Sequence, residues 1–216
     1  MKQILKVLIG SQAHGTARPD SDMDYRGVFV HPTSEILSIQ GVKNQTNWIE
    51  GKIDDTSYEI QKFLMMASKC NPNIMEIFGA PVVESTELGE ELRALLPYAW
   101  NKTDTLNAFR GYASNQRKKF FDRKDKKPEK FLQAWIRTLY QGEHLLATGE
   151  MIVDFKETPI FQDLLDIRSK EYSVENKLRL AFDLERKLEN TADNTPDKNT
   201  DMDKLNEFLL KVRGLN

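Results

Sequence analysis

Asp22 and Asp24 stand two positions apart, just ahead of the apolar run Val28-Phe29-Val30. On an extended strand, residues i and i+2 share a face, so their Cα atoms lie about 6–7 Å apart. Two carboxylates that close repel unless one is protonated or a cation lies between them. Upstream, residues 2–9 (KQILKVLI) have a continuous apolar centre, the pattern of a strand buried on both faces. Between the two runs lies a loop that begins Gly10-Ser11, passes His14-Gly15 and Arg18, and ends Ser21-Asp22-Met23-Asp24. Gly10 permits a sharp turn or the close approach of a ligand, and Gly15 repeats that freedom. Ser11 offers a hydroxyl and an N–H where the strand ends. A short helix starting there would leave free N–H groups, which suit a phosphate.

Hard oxygen ligands of this kind suit Mg²⁺ or Mn²⁺. A metal pair held by carboxylates is a standard device for phosphoryl and nucleotidyl transfer, and it needs a third carboxylate. Ile53-Asp54-Asp55-Thr56 offers one at the end of a weaker third strand over 47–54. Alternation lets one of the two acids face the cluster: Ile53 shares a face with Asp55, and Asp54 with Thr56. Asp55 could instead cap a following helix. The EF-hand pattern fails, because no Asp-x-Asp-x-Asp-Gly run with a Glu at its twelfth place follows.

From Ser57 the texture turns helical, with Tyr58, Ile60, Phe63, Leu64 and Ala67 at intervals of three to four residues. Asn71-Pro72-Asn73 stops one helix and starts the next. Val82-Val83 is a short strand candidate, and residues 86–97 read as a helix. Helices are then expected over 104–121, 128–147, 159–169, 174–190 and 202–212, with a polar loop at 191–200. The expected class is α+β: a small mixed sheet in a domain over 1–97, then a helical domain over 98–216 that binds an acceptor or is structural.

Composition narrows the function. The chain has 216 residues and a formal net charge of −2, so non-specific coating of nucleic acid is not expected. Cys70 is the single cysteine, and the three His lack metal-site spacing, which excludes an intrachain disulfide and a Cys-based zinc site. No apolar run is long enough for a membrane span, so a soluble, cytoplasmic protein with no membrane partner is expected. One basic patch stands out. Residues 117–130 hold eight basic residues against three acidic ones, a local net charge of +5, with Phe120 and Phe121 interleaved. Arg117, Lys118, Lys119, Arg123 and Lys124 could meet RNA by charge and stacking, or form a solvated corner between helices.

The order Gly10-Ser11, Gly15, Ser21-Asp22-Met23-Asp24 resembles the signature of the DNA polymerase β-like nucleotidyltransferase superfamily. The segments Asp55-Thr56-Ser57-Tyr58-Glu59-Ile60-Gln61-Lys62-Phe63 and Asn71-Pro72-Asn73-Ile74-Met75-Glu76 are similar to one branch of it. That branch comprises nucleotidyltransferases associated with RNA repair in bacteria and phages. Residues 130–149, with Arg137, look like its helical tail, although a His that many members carry three residues before the Arg is Ala134 here.

The resemblance implies the sheet type and a transfer of NMP from an NTP to a hydroxyl acceptor by two metal ions. It implies that Asp22, Asp24 and Asp55 are the catalytic metal ligands, Asp55 being selected over Asp54 because the third acid opens the Tyr-Glu segment. It also implies that Ser11, with Gly10 and Gly15, contacts the triphosphate; Arg18 beside them would neutralise phosphate charge. The alternatives are a nucleotide- or RNA-binding module without catalysis, and transfer to a protein hydroxyl.

Overall fold

The computed structural model describes residues 1–51, 53–122 and 127–215. The strands are β1 (Lys2–Ile9), β2 (Met23–Val30), β3 (Gln45–Glu50), β4 (Ile53–Glu59) and β5 (Val82–Ser85). Among them lie α1 (Gly10–Ala13), α2 (Thr33–Ile36), α3 (Ile60–Ala67) and α4 (Pro72–Gly79). Then follow α5 (Glu87–Arg93), α6 (Leu96–Ala99), α7 (Lys102–Asp122), α8 (Pro128–Thr148), α9 (Phe161–Ser169), α10 (Val174–Asn194) and α11 (Met202–Val212). The α+β class is as expected, with a five-stranded mixed sheet in the order β3-β4-β2-β1-β5.

β1 is an interior strand because its middle is apolar on both sides: Ile4, Leu5 and Val7 are all buried. It pairs antiparallel with both β2 and β5. β2 and β4 run parallel, and β3 returns antiparallel along β4 as the edge. The third strand expected over 47–54 is two strands here. Gly51, at a φ of +59°, turns the chain between them, as the left-handed region requires. The helix expected from Ser57 begins at Ile60 instead, because β4 is paired on both edges and carries Thr56, Ser57 and Tyr58 into the interior. Tyr58 and Ile60 fit an alternating pattern as well as a helical one. The Glu59 carboxylate then caps α3, accepting the N–H of Gln61 at 2.8 Å.

The helical half is built on α8. Its buried stripe of Leu132, Trp135, Ile136, Leu139, Leu145 and Leu146 packs toward α7 and α10. Gly142 lets α7 close in, since a Cβ there would stand 2.8 Å from the Phe109 ring. Gly149, left-handed at a φ of +78°, ends the helix. α10 continues to Asn194, four residues past the expected end, and buries Ala192. One hydrophobic core runs from Ile4 in the sheet through Trp135 to Phe208 in α11. Among the described residues, no helix is long and apolar enough to cross a membrane.

The end of the chain is fastened to the sheet. Arg213 Nη2 lies 2.6 Å from Glu59 Oε1, and both side chains are almost fully buried. Arg213 also donates to the His31 carbonyl at 3.2 Å, while Thr33 Oγ1 donates to the Arg213 carbonyl at 2.7 Å. Breaking a buried pair strands a charge, at a cost of about 3–5 kcal/mol. Arg213→Ala should therefore lower the unfolding free energy by about that amount in urea titrations. A loss within experimental error would show that the pair is not buried in solution.

Candidate nucleotide-binding cleft

The ladder between β2 and β4 decides which acids meet. Asp24 is the cross-strand partner of Asp54, and Tyr25 is that of Asp55. Asp54 therefore shares a face with Asp24, and Asp55 points to the other side, where Lys6 Nζ holds it at 2.7 Å. Asp55, the expected third carboxylate, is therefore not brought beside Asp24; parallel pairing in this register puts Asp54 there. Asp22 precedes β2 and is exposed at the same end of the sheet.

The pair is electrostatically costly. Burial, followed by the charge of Asp54 and more weakly that of Asp22, pushes the Asp24 carboxyl above its usual range, against the pull of Arg26 and Lys130. Arg26 Nη1 approaches Asp54 Oδ1 at 3.5 Å, and Thr56 Oγ1 donates to the same oxygen at 3.3 Å. Gly10, at a φ of +69°, is required by this packing, because a Cβ there would collide with Asp24 Oδ2. Among the described residues no group of three His, Cys, Asp or Glu side chains is drawn together closely enough to share one ion. The arrangement is an adjacent pair, Asp24 and Asp54, with Asp22 at its margin. It is an all-oxygen donor set, which fits a hard cation such as Mg²⁺.

A cavity of about 680 Å³ opens over Asp24. Gly10, Ser11, Asp22 and Asp24 line one side. Opposite are Tyr112, Gln116 and Lys119 of α7 with Phe131, Ala134 and Arg137 of α8. Arg18, Arg168 and Lys170 close the end. Of the residues expected to contact phosphates, Gly10, Ser11 and Arg18 line this cavity. Gly15 does not: its missing side chain makes room for Lys156, whose Cγ would lie 2.8 Å from a Cβ there.

Behind the cleft lies a buried ionic cluster that sequence reasoning passed over. Glu76, from α4, accepts from His14 Nε2 at 2.7 Å, from Gln141 Nε2 at 3.0 Å and from Arg137 Nη1. Burial opposes ionisation of Glu76, but Arg137 and His14 outweigh it and hold its carboxyl well below the ordinary range. Burial and the Arg137 charge likewise hold the His14 ring below its usual value. The signal for this cluster was in the chain, since Glu76 and Arg137 both fall in the segments that carry the family resemblance.

The basic corner is only partly aimed at the cleft. Arg117 pairs with Glu185 at 3.3 Å and lies over the Trp135 ring. Phe120 is buried, while Phe121 is exposed. Lys119 sits over the Phe131 ring and, with Lys127 and Lys130, lines the cavity. Lys118 is exposed. Arg123 and Lys124 lie outside the described residues.

A family model described as "RNA repair pathway DNA polymerase beta family" matches residues 1–211. The chain belongs to that family. A curated relative, the "Uncharacterized 38.9 kDa protein in nrdC-mobD intergenic region" of Enterobacteria phage T4, is 28% identical over 141 residues. Those residues make up 56% of this chain and 39% of the phage protein, so the chain spans about two fifths of that relative's length. Two solved structures are loosely similar. One is the nucleotidyltransferase-like protein from Exiguobacterium sibiricum 255-15, at a TM-score of 0.32 and 10% identity, covering 98% of this chain and 73% of the other. The second is spectinomycin adenyltransferase AAD(9) from Enterococcus faecialis, at a TM-score of 0.40 and 15% identity, covering 99% and 91%.

The buried cluster makes stability depend on pH. His14 has its folded pKa below the ordinary 6.5, so its contribution is present above that value and is lost as pH falls below it. Glu76, also lowered, contributes fully above 4.5 and loses that contribution as pH falls further. Unfolding free energy should thus begin to fall below pH 6.5, by up to about 1.4 kcal/mol per pH unit for each extra proton taken up by the unfolded chain. In denaturant titrations His14→Gln should flatten the part of the curve between pH 6.5 and 4.5. A wild-type curve that is flat there would contradict the burial of a neutral ring.

Proposed function

We propose that the cleft binds a nucleoside triphosphate with Mg²⁺ or Mn²⁺ and transfers its NMP to a hydroxyl acceptor, an RNA end being the preferred class. The observation that carries this reading is the pairing of Asp24 with Asp54 across a parallel ladder, at the mouth of a cleft rimmed by arginine and lysine. Such a pair is a poor structural choice, because each charge disfavours the other. A bound cation removes that cost.

Asp24 and Asp54 would hold the metal, with Asp22 at the margin of the pair; the two-ion arrangement is what the family resemblance implies. Held there, such ions would supply charge neutralisation at the phosphates and a lower pKa for an acceptor hydroxyl. The chain's own groups do the rest. Ser11 and the Gly10 backbone meet the phosphates where β1 ends, and Gly10 keeps Asp24 close to them. Arg18 adds positive charge at the leaving end of the chain of phosphates. Arg137, fixed by Glu76, lines the same wall as Phe131 and Ala134, on the side open to an acceptor. Ala134 leaves its own position on that wall without a titratable side chain. Lys119, Lys127 and Lys130, on the rim, give it the charge that an RNA phosphate backbone needs. The family's association with RNA repair supports the same acceptor class.

Asp24→Asn and Asp54→Asn should each bring pyrophosphate release and label transfer from α-labelled NTP to RNA ends down to background. Asp55→Asn should keep activity near wild type, since Asp55 faces Lys6 on the other side of the sheet. Asp24→Asn should also raise the melting temperature of the metal-free protein, because it removes a carboxylate whose ionisation the fold resists. Loss of activity in Asp55→Asn together with retention in Asp54→Asn would overturn the assignment. Nucleotide binding without transfer to any RNA or protein acceptor would favour a binding module.

A further inference from the structure

We propose that Arg168, supplied by the last turn of α9, is a ligand of the β- and γ-phosphates; this rests on the nucleotide reading of the cleft. Arg168 lies far from the acidic loop in sequence and next to it in space. Its Nη2 donates to Ser21 Oγ at 2.9 Å, and Ser21 immediately precedes Asp22. The Arg18 N–H donates to the same hydroxyl at 2.8 Å, and the Arg18 guanidinium donates to the Arg168 carbonyl. The two arginines are therefore tied to one another and to the start of the carboxylate motif, at one end of the cavity.

Arg168 is under-bonded where it stands. Its Nε is shut off from solvent with no hydrogen-bond partner, the one such side-chain nitrogen or oxygen among the described residues. Buried donors are normally satisfied, so an orphan calls for a missing acceptor. A guanidinium offers five donors in a planar fork, a match for phosphate oxygens that a serine hydroxyl cannot equal. No described carboxylate pairs with Arg168. Two of the other cations at the cleft are already paired with carboxylates: Arg137 with Glu76, and Lys170 with Glu129 at 3.3 Å. Arg168 is thus an anion ligand lining the cleft whose donors are not all used. By reaching from the helical half to the acidic loop, it would make grip on the distal phosphates depend on both halves of the chain.

The test uses calorimetry with Mg²⁺ on the full chain. It compares the NTP that wild type binds most tightly with the corresponding NMP, which lacks the distal phosphates. Arg168→Gln should weaken NTP binding by about tenfold or more, the loss of a charge-assisted bidentate contact, and leave NMP binding within about twofold. Arg168→Lys, which keeps the charge and loses the fork, should fall between. If Arg168→Gln does not fold, the NTP-to-NMP ratio in Arg168→Lys decides. Equal loss of both ligands, or no change in that ratio, would overturn the assignment and leave the nucleotide reading standing. Failure of wild type to bind any NTP would sink the nucleotide reading and this inference together.

Discussion

Two carboxylates held side by side by a parallel β-ladder set the terms for the rest of the molecule. Asp24 and Asp54 cannot move apart, because their separation is that of neighbouring strands. Every element around them adjusts to that charge. Gly10 gives up its side chain to let Asp24 in, and Arg26 and Thr56 lean on Asp54. The surrounding cleft collects cations, so a carboxylate pair and a basic rim stand side by side, as the proposed nucleotide and cation would need. Stability is spent there for function, which is the usual sign of a site and not of a core.

The helical half lines that cleft in addition to covering the sheet. Glu76 of the sheet-bearing half and Arg137 of α8 meet in a buried pair with His14, which sits in the loop between β1 and β2. That cluster fixes the orientation of one cleft wall relative to the acidic strand. Glu59 and Arg213 do the same at the far end, joining α3 to the chain end after α11. Truncating one partner of either pair leaves a charge in the interior, so both halves are bound to a single arrangement.

Much of this was legible in the chain. The buried centre of β1, the turn at Gly10-Ser11 and the acidic pair at the head of β2 are local features, and local features survive translation into structure. Which acid stands beside Asp24 was not legible, because it depends on register, which is a tertiary property. Asp54 and Asp55 are equivalent in sequence until β4 pairs with β2, and shifting that pairing by one residue would exchange them. The strand that became two failed for a similar reason: the turn at Gly51 was hidden inside what read as one run. Gly15 read as a phosphate glycine; in the structure Lys156 packs against it, a contact that nothing in the sequence announces. Arg168 carried no signal at all. Its role depends on α9 folding back over a loop nearly 150 residues earlier, where it meets Ser21.

The central claim is that Asp24 and Asp54 bind a cation together with a nucleotide. The most direct measurement is calorimetric titration of the full chain with each of the four NTPs, with Mg²⁺ and then with chelator. Wild type should bind at least one NTP in Mg²⁺ only, and Asp54→Asn should lose that binding while remaining folded. NTP binding that is indifferent to Mg²⁺, or that survives unchanged in Asp54→Asn, would contradict the account.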